Sequence, residues 1–87
     1  MRENYSKAFK SFFNQNLIST RKALGLTQED MADILAMAAR TYVDLDHGKT
    51  SCSGLTLALY LAKVCEDPMK FLEEFRALIT MCDEKIA

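Results

Sequence analysis

Along most of the chain apolar residues return every three or four positions, and no window alternates apolar with polar residues as a half-buried strand would. The pattern predicts helices throughout. From Tyr5 onward, Phe9, Phe12, Phe13, Leu17, Thr20 and Leu24 form one helical stripe, and Gly25 is placed to end it as a C-terminal cap. "TQED" then offers Thr27 as an N-cap with Asp30 three places on, a loose capping box opening a short helix whose inner face is Met31, Ala32, Ile34 and Leu35. A third helix is expected from Ala38 or Ala39 to just before "HGK", where Gly48 can take the left-handed conformation that a chain reversal demands. "KTSCSG" reads as a loop in which Ser51 or Ser53 caps a fourth helix, with Leu55, Ala58, Leu59, Ala62 and Val64 or Cys65 on its buried side. Asp67 as cap and Pro68 at the first helical position open a fifth, running to about Glu84.

Composition narrows the class. Eighty-seven residues make one domain, in which roughly 60% of the unfolded surface can be buried. The formal net charge of −1 neither demands nor excludes a polyanionic partner, but its distribution is uneven. Through Gln28 the bases Arg2, Lys7, Lys10, Arg21 and Lys22 meet only Glu3, whereas beyond Ser51 acids outnumber bases. A basic front and an acidic rear can orient a protein on nucleic acid; a solvated helical face has the same look. Cys52, Cys65 and Cys82 form no CxxC pair, and a single histidine cannot complete a zinc set with them, so no metal and no cofactor is expected. Cys65 and Cys82 fall on apolar faces, where a thiol acts as a small hydrophobe, and a reducing, cytoplasmic setting is the simpler expectation. The longest apolar run, "LTLALYLA", is far below the roughly 20 residues of a membrane span, and there is no apolar leader at the N-terminus.

Two short helices joined by three or four residues are the ingredients of a helix-turn-helix, in which the second helix is presented to the major groove. The particular residues go further. Arg21, "GLTQEDMA" at 25–32, "DHGK" at 46–49 and "LALYLAKVC" at 57–65 resemble the helix-turn-helix domain of phage lambda repressor and Cro proteins, the XRE family. The resemblance covers residues 17–67 and implies an all-α, five-helix lambda-repressor-like domain over 1–87 with an extended N-terminal helix and an added C-terminal helix at 68–85. The helix pair would be 28–35 and 39–46. It also implies an ion pair between Arg21 in the first helix and Asp46 at the end of the third, a structural link that sets the angle of the recognition helix. The family usually has Glu there; Asp is one methylene shorter, so the bridge is expected to be strained or water-mediated. Ala36 stands where the family usually has glycine, which a slightly different turn could tolerate.

Roles on double-stranded DNA follow from side-chain chemistry. Gln28, at the positive start of the second helix, can donate its amide to a phosphate, and Lys49 after the third can reach the backbone on the other side; Thr41 and His47 are lesser phosphate candidates. Within the third helix Tyr42 and Leu45 should point inward, leaving Ala38, Ala39, Arg40, Val43 and Asp44 outside. Arg40 is the strong base reader, able to hold guanine through two hydrogen bonds. Ala39 could touch a thymine methyl, and Asp44 could accept only from cytosine.

In the last helix Leu72, Phe75, Ile79, Cys82 and Ile86 form a seam of period 3.5, widened by Phe71 and Leu78. Two readings are compatible: packing against Phe9, Phe12 and Phe13 within the chain, or a homodimer through the Leu72, Phe75, Ile79 and Cys82 face. The expected function is a cytoplasmic, sequence-specific transcriptional regulator that reads the major groove as a homodimer. No catalytic constellation, small-molecule ligand or membrane contact is indicated. The alternative is a protein-interaction module on the same scaffold, antitoxin-like or anti-repressor, to which the near-neutral charge, the alanines and Asp44 point.

Overall fold

The computed structural model describes residues 2–86, and the side chains of residues 2–84. Five helices account for most of it: α1 (Arg2–Ala23), α2 (Gln28–Ile34), α3 (Ala39–Asp46), α4 (Gly54–Leu59, continued by a π-helical turn Tyr60–Val64) and α5 (Pro68–Ile86). No strand occurs among the described residues, and no helix there is long and apolar enough to cross a membrane. The caps explain where elements begin. The Thr27 hydroxyl accepts from the Asp30 amide while the Asp30 carboxylate accepts from the Thr27 amide, so the loose capping box is fully reciprocal. Ser53 caps α4 by accepting from the Thr56 amide at 3.1 Å, and Asp67 caps α5 by accepting from the Lys70 amide at the same distance.

α1 is the axis on which the rest is assembled. α5 runs antiparallel to its first half: Tyr5 donates to Asp83 at one end, and Phe12 meets Phe71 at the other. Between them lies an aromatic cluster. Phe75 stands edge-on to Phe9 and tilted against Phe12, each with centroids 5.5 Å apart; Tyr60 stands edge-on to Phe13 at 5.2 Å. Such offset and edge geometries add to plain burial, because each ring's positive rim meets its neighbour's negative face. Phe13, Leu17, Met31, Ala32, Leu35, Tyr42, Leu45, Tyr60, Val64 and Phe71 make the continuous core.

Several expected faces are corrected. In the last helix Phe75 packs on Phe9 and Phe12, as the within-chain reading expects, beside the buried Phe71 and the half-buried Leu78 and Cys82, but Leu72 of the same seam is 49% exposed and stays on the margin. The side chain of Ile86 lies outside the described residues. Leu24, beyond the last turn of α1, is exposed. In α4 the inner residues are Thr56, Tyr60 and Val64, not Leu55, Ala58 and Ala62, which face solvent. Their four-residue spacing fits the π turn: the Cys65 amide bonds the Tyr60 carbonyl five residues back, and the wider winding keeps positions four apart on one side. Polar anchoring also turns the helix, since the buried Tyr60 hydroxyl lies 3.0 Å from that of Thr20 on α1.

Candidate nucleic-acid interface

The segment from Gly25 to Lys49 is built by one device used three times. At the ends of α1, α2 and α3 a residue with positive φ reverses the chain: Gly25 (φ 68°), Ala36 (φ 57°) and Gly48 (φ 73°). Each end is closed by the same pair of backbone bonds, Leu26 N–H to Arg21 O with Gly25 N–H to Lys22 O, Met37 to Ala32 with Ala36 to Asp33, and Lys49 to Asp44 with Gly48 to Leu45. The turn between α2 and α3 is thus the ordinary glycine-type reversal with an alanine forced into it, not the altered turn expected. A Cβ in the left-handed region costs roughly 1–2 kcal/mol, and Ala36 bears that strain. Met31, Ala32 and Leu35 on α2 are buried together with Tyr42 and Leu45 on α3, which fixes the helix pair's dry side.

α3 is held from behind at its last residue. Asp46, 6% exposed, accepts four hydrogen bonds: Tyr42 Oη at 2.9 Å and Arg21 Nε at 3.3 Å on Oδ1, Gln28 Nε2 at 3.0 Å and Arg21 Nη2 at 3.5 Å on Oδ2. The Arg21–Asp46 pair is therefore direct, if long, and a tyrosine and an amide supply the carboxylate's remaining bonds. Arg21 also donates to the Leu26 carbonyl, and Asn14 donates to the carbonyls of Leu45 (3.1 Å) and Asp46 (2.8 Å). One carboxylate thus gathers α1, α2 and α3. Burial by itself would raise the Asp46 pKa, but the Gln28 and Tyr42 hydrogen bonds and the Arg21 charge outweigh it and hold the carboxyl below the usual range. Tyr42 moves the other way: burial, then its bond to the Asp46 anion, pushes the phenol well above its ordinary value.

What the clamp leaves outward is a small polar face. Ala38, Ala39, Arg40 and Thr41 are exposed, as are His47 and Lys49; Val43 and Asp44 are half-buried. Arg40, Asp44 and His47 follow the spacing i, i+4, i+7 and so share one side of α3. Ala38 caps the helix without any side-chain bond, so the first amides of α3 keep free donors beside Arg40. The ion pair Arg21–Asp46 is the only one among the described residues, which leaves Arg40 and Lys49 without a carboxylate partner. Gln28 does not join this face: its amide is turned inward to Asp46, which corrects its expected place on phosphate. Asn14 was missed in the sequence; its only signal is a poor helix former set in the apolar run of α1. Among the described residues no group of three or more His, Cys, Asp or Glu could hold a metal. Comparison of the chain with protein-family models, with curated proteins and with solved structures finds no match.

Proposed function

We propose that the protein is a sequence-specific DNA-binding regulator of the lambda-repressor-like, helix-turn-helix kind, with α3 as the helix that enters the major groove. The observation that carries this reading is the exposed first turn of α3, where an unpaired Arg40 and uncapped backbone amides stand together. Behind it, the inner side of the same helix is locked to α1 and α2 through Asp46. A rigid helix whose free side carries one guanidinium between small residues suits close approach to base edges. Ala39 offers a methyl to thymine, Arg40 two donors to guanine, and Asp44 an acceptor to cytosine; Thr41, His47 and Lys49 flank them as phosphate contacts. Gln28 supports the helix instead of touching DNA. Two copies would sit on half-sites one helical turn apart, joined along the edge of α5 where Leu72 and Met69 are exposed beside Ile79.

The second reading, a protein-interaction module, is favoured by that same apolar edge and by the half-buried Asp44, which repels phosphate. Binding to random-sequence duplex as a function of salt separates the two. A DNA reader loses affinity steeply and log-linearly as salt rises, with a slope of about −0.9 for each phosphate neutralised. No binding at low salt, together with a stable complex with another protein, would replace the first reading by the second.

A further inference from the structure

The first half of α1 extends a stripe of which only the lower part is used by the core and by α3. Lys7, Lys10, Asn14, Leu17 and Arg21 fall at alternating intervals of three and four, a single stripe along the helix. The lower part of that stripe is already bound to α3: Arg21 to the Asp46 carboxylate, Asn14 to the last two carbonyls. The upper part therefore lies immediately beyond the end of α3, where the chain turns through Gly48 into Lys49. A shallow groove opens there, lined by Lys7, Lys10, Ser11, Asn14 and Gly48. The Lys10 ammonium is 3.5 Å from the Lys49 carbonyl, which brings the lysine of the turn beside the two of α1. None of the three is ion-paired among the described residues.

We propose that this groove is a second contact for the same DNA, in which Lys7 and Lys10 join Lys49 in gripping the sugar–phosphate backbone at the edge of the groove that α3 enters. The inference rests on the DNA-binding reading and adds to it a partner surface outside residues 17–67, where the family resemblance lies. Lys7 and Lys10, one turn apart on α1, and Lys49 of the neighbouring turn add positive charge to the edge of one groove, which favours a row of phosphates. From Lys7 to Asn14 the stripe is about 10 Å long, and phosphates on one strand recur about every 3.4 Å of duplex axis, so the groove meets more than one of them.

The double variant K7Q/K10Q tests this on random-sequence duplex, with affinity followed from 50 to 200 mM salt. The slope of log affinity against log salt should become shallower by about 1.8, so that the wild type loses about tenfold more affinity than the variant over that range. Thermal unfolding of both proteins runs alongside, because a Lys10 that only tied down the Lys49 carbonyl after α3 would act as a cap for the turn. An unchanged slope overturns the proposal, and an unchanged slope with a lowered melting midpoint assigns Lys10 to capping. Wild-type protein that does not bind duplex at all overturns the DNA-binding reading itself, and the groove proposal with it.

Discussion

The first half of α1 meets α5 through rings, whereas its second half meets α3 through hydrogen bonds. Phe9 and Phe12 pack on Phe71 and Phe75 of α5, and Phe13 on Tyr60, with centroids 4.9–5.5 Å apart in tilted and edge-on arrangements. Such contacts gain free energy from area and tolerate a small slide. Asn14 and Arg21, further along the same helix, hold α3 through named atoms: two carbonyls and one carboxylate. Directional bonds to a buried group specify an angle and a register, and here they do so for the helix whose outer face is free. Apolar burial runs through both ends of the molecule, whereas the directional bonds to a buried carboxylate are concentrated at the α3 end.

Removing a ring from the first region should cost most. Phe13→Ala should destabilise the fold by about 3–5 kcal/mol in urea titration, since the ring is 1% exposed and touches Phe9 and Tyr60. The affinity of the remaining folded fraction for DNA should hold; a large loss there would mean that the aromatic end also positions α3. Asp46→Ala should lose somewhat less, about 2–3 kcal/mol, because Arg21 keeps some solvent exposure and part of its stranded charge is hydrated. It should weaken DNA binding of the folded protein as well. If the two variants cannot be told apart by that second readout, the contrast between the regions fails.

Acid should act mainly at the α2–α3 end, where Asp46 and the capping Asp30 are both held below the usual carboxylate range. The Asp46 carboxyl titrates below its unfolded value of about 3.9, so between the two values the unfolded chain binds more protons and stability falls as pH is lowered. The contribution is complete above the unfolded value and is lost as pH drops through the folded one. Asp46→Asn should make that acid limb shallower in unfolding curves below about pH 4, with Asp30 keeping part of it, while no aromatic substitution should change its shape. The smallest effect is a gain: Ala36→Gly relieves the left-handed alanine, offset in part by greater freedom of the unfolded chain, for a net stabilisation of about 0.5–1 kcal/mol. A loss of stability on that substitution would mean that the Ala36 methyl makes contacts outweighing its strain.

Helix order and boundaries were legible because they are written locally, in Thr27, Gly25, Gly48, Asp67 and Pro68. The inner face of α4 was not. A π turn is invisible to a 3.6-residue period, and the choice of Tyr60 over Leu55 depends on the hydroxyl of Thr20 on another helix. The same limit explains the clamp. The Arg21–Asp46 link could be anticipated from resemblance, but its support by Tyr42 and Gln28 depends on where α2 comes to rest, and Gln28 was therefore expected on phosphate. The outer candidates Ala39, Arg40, Thr41, His47 and Lys49 were readable as the residues left over once Tyr42 and Leu45 turn inward.

If Arg40, as proposed, reads bases from a helix held still by Asp46, base-by-base affinity for a duplex selected from a random pool will show it. With Arg40→Ala, discrimination should fall at one base position by about 1–3 kcal/mol and stay as before at the others. An equal loss on every sequence, or no selectable duplex for the wild type, would contradict it.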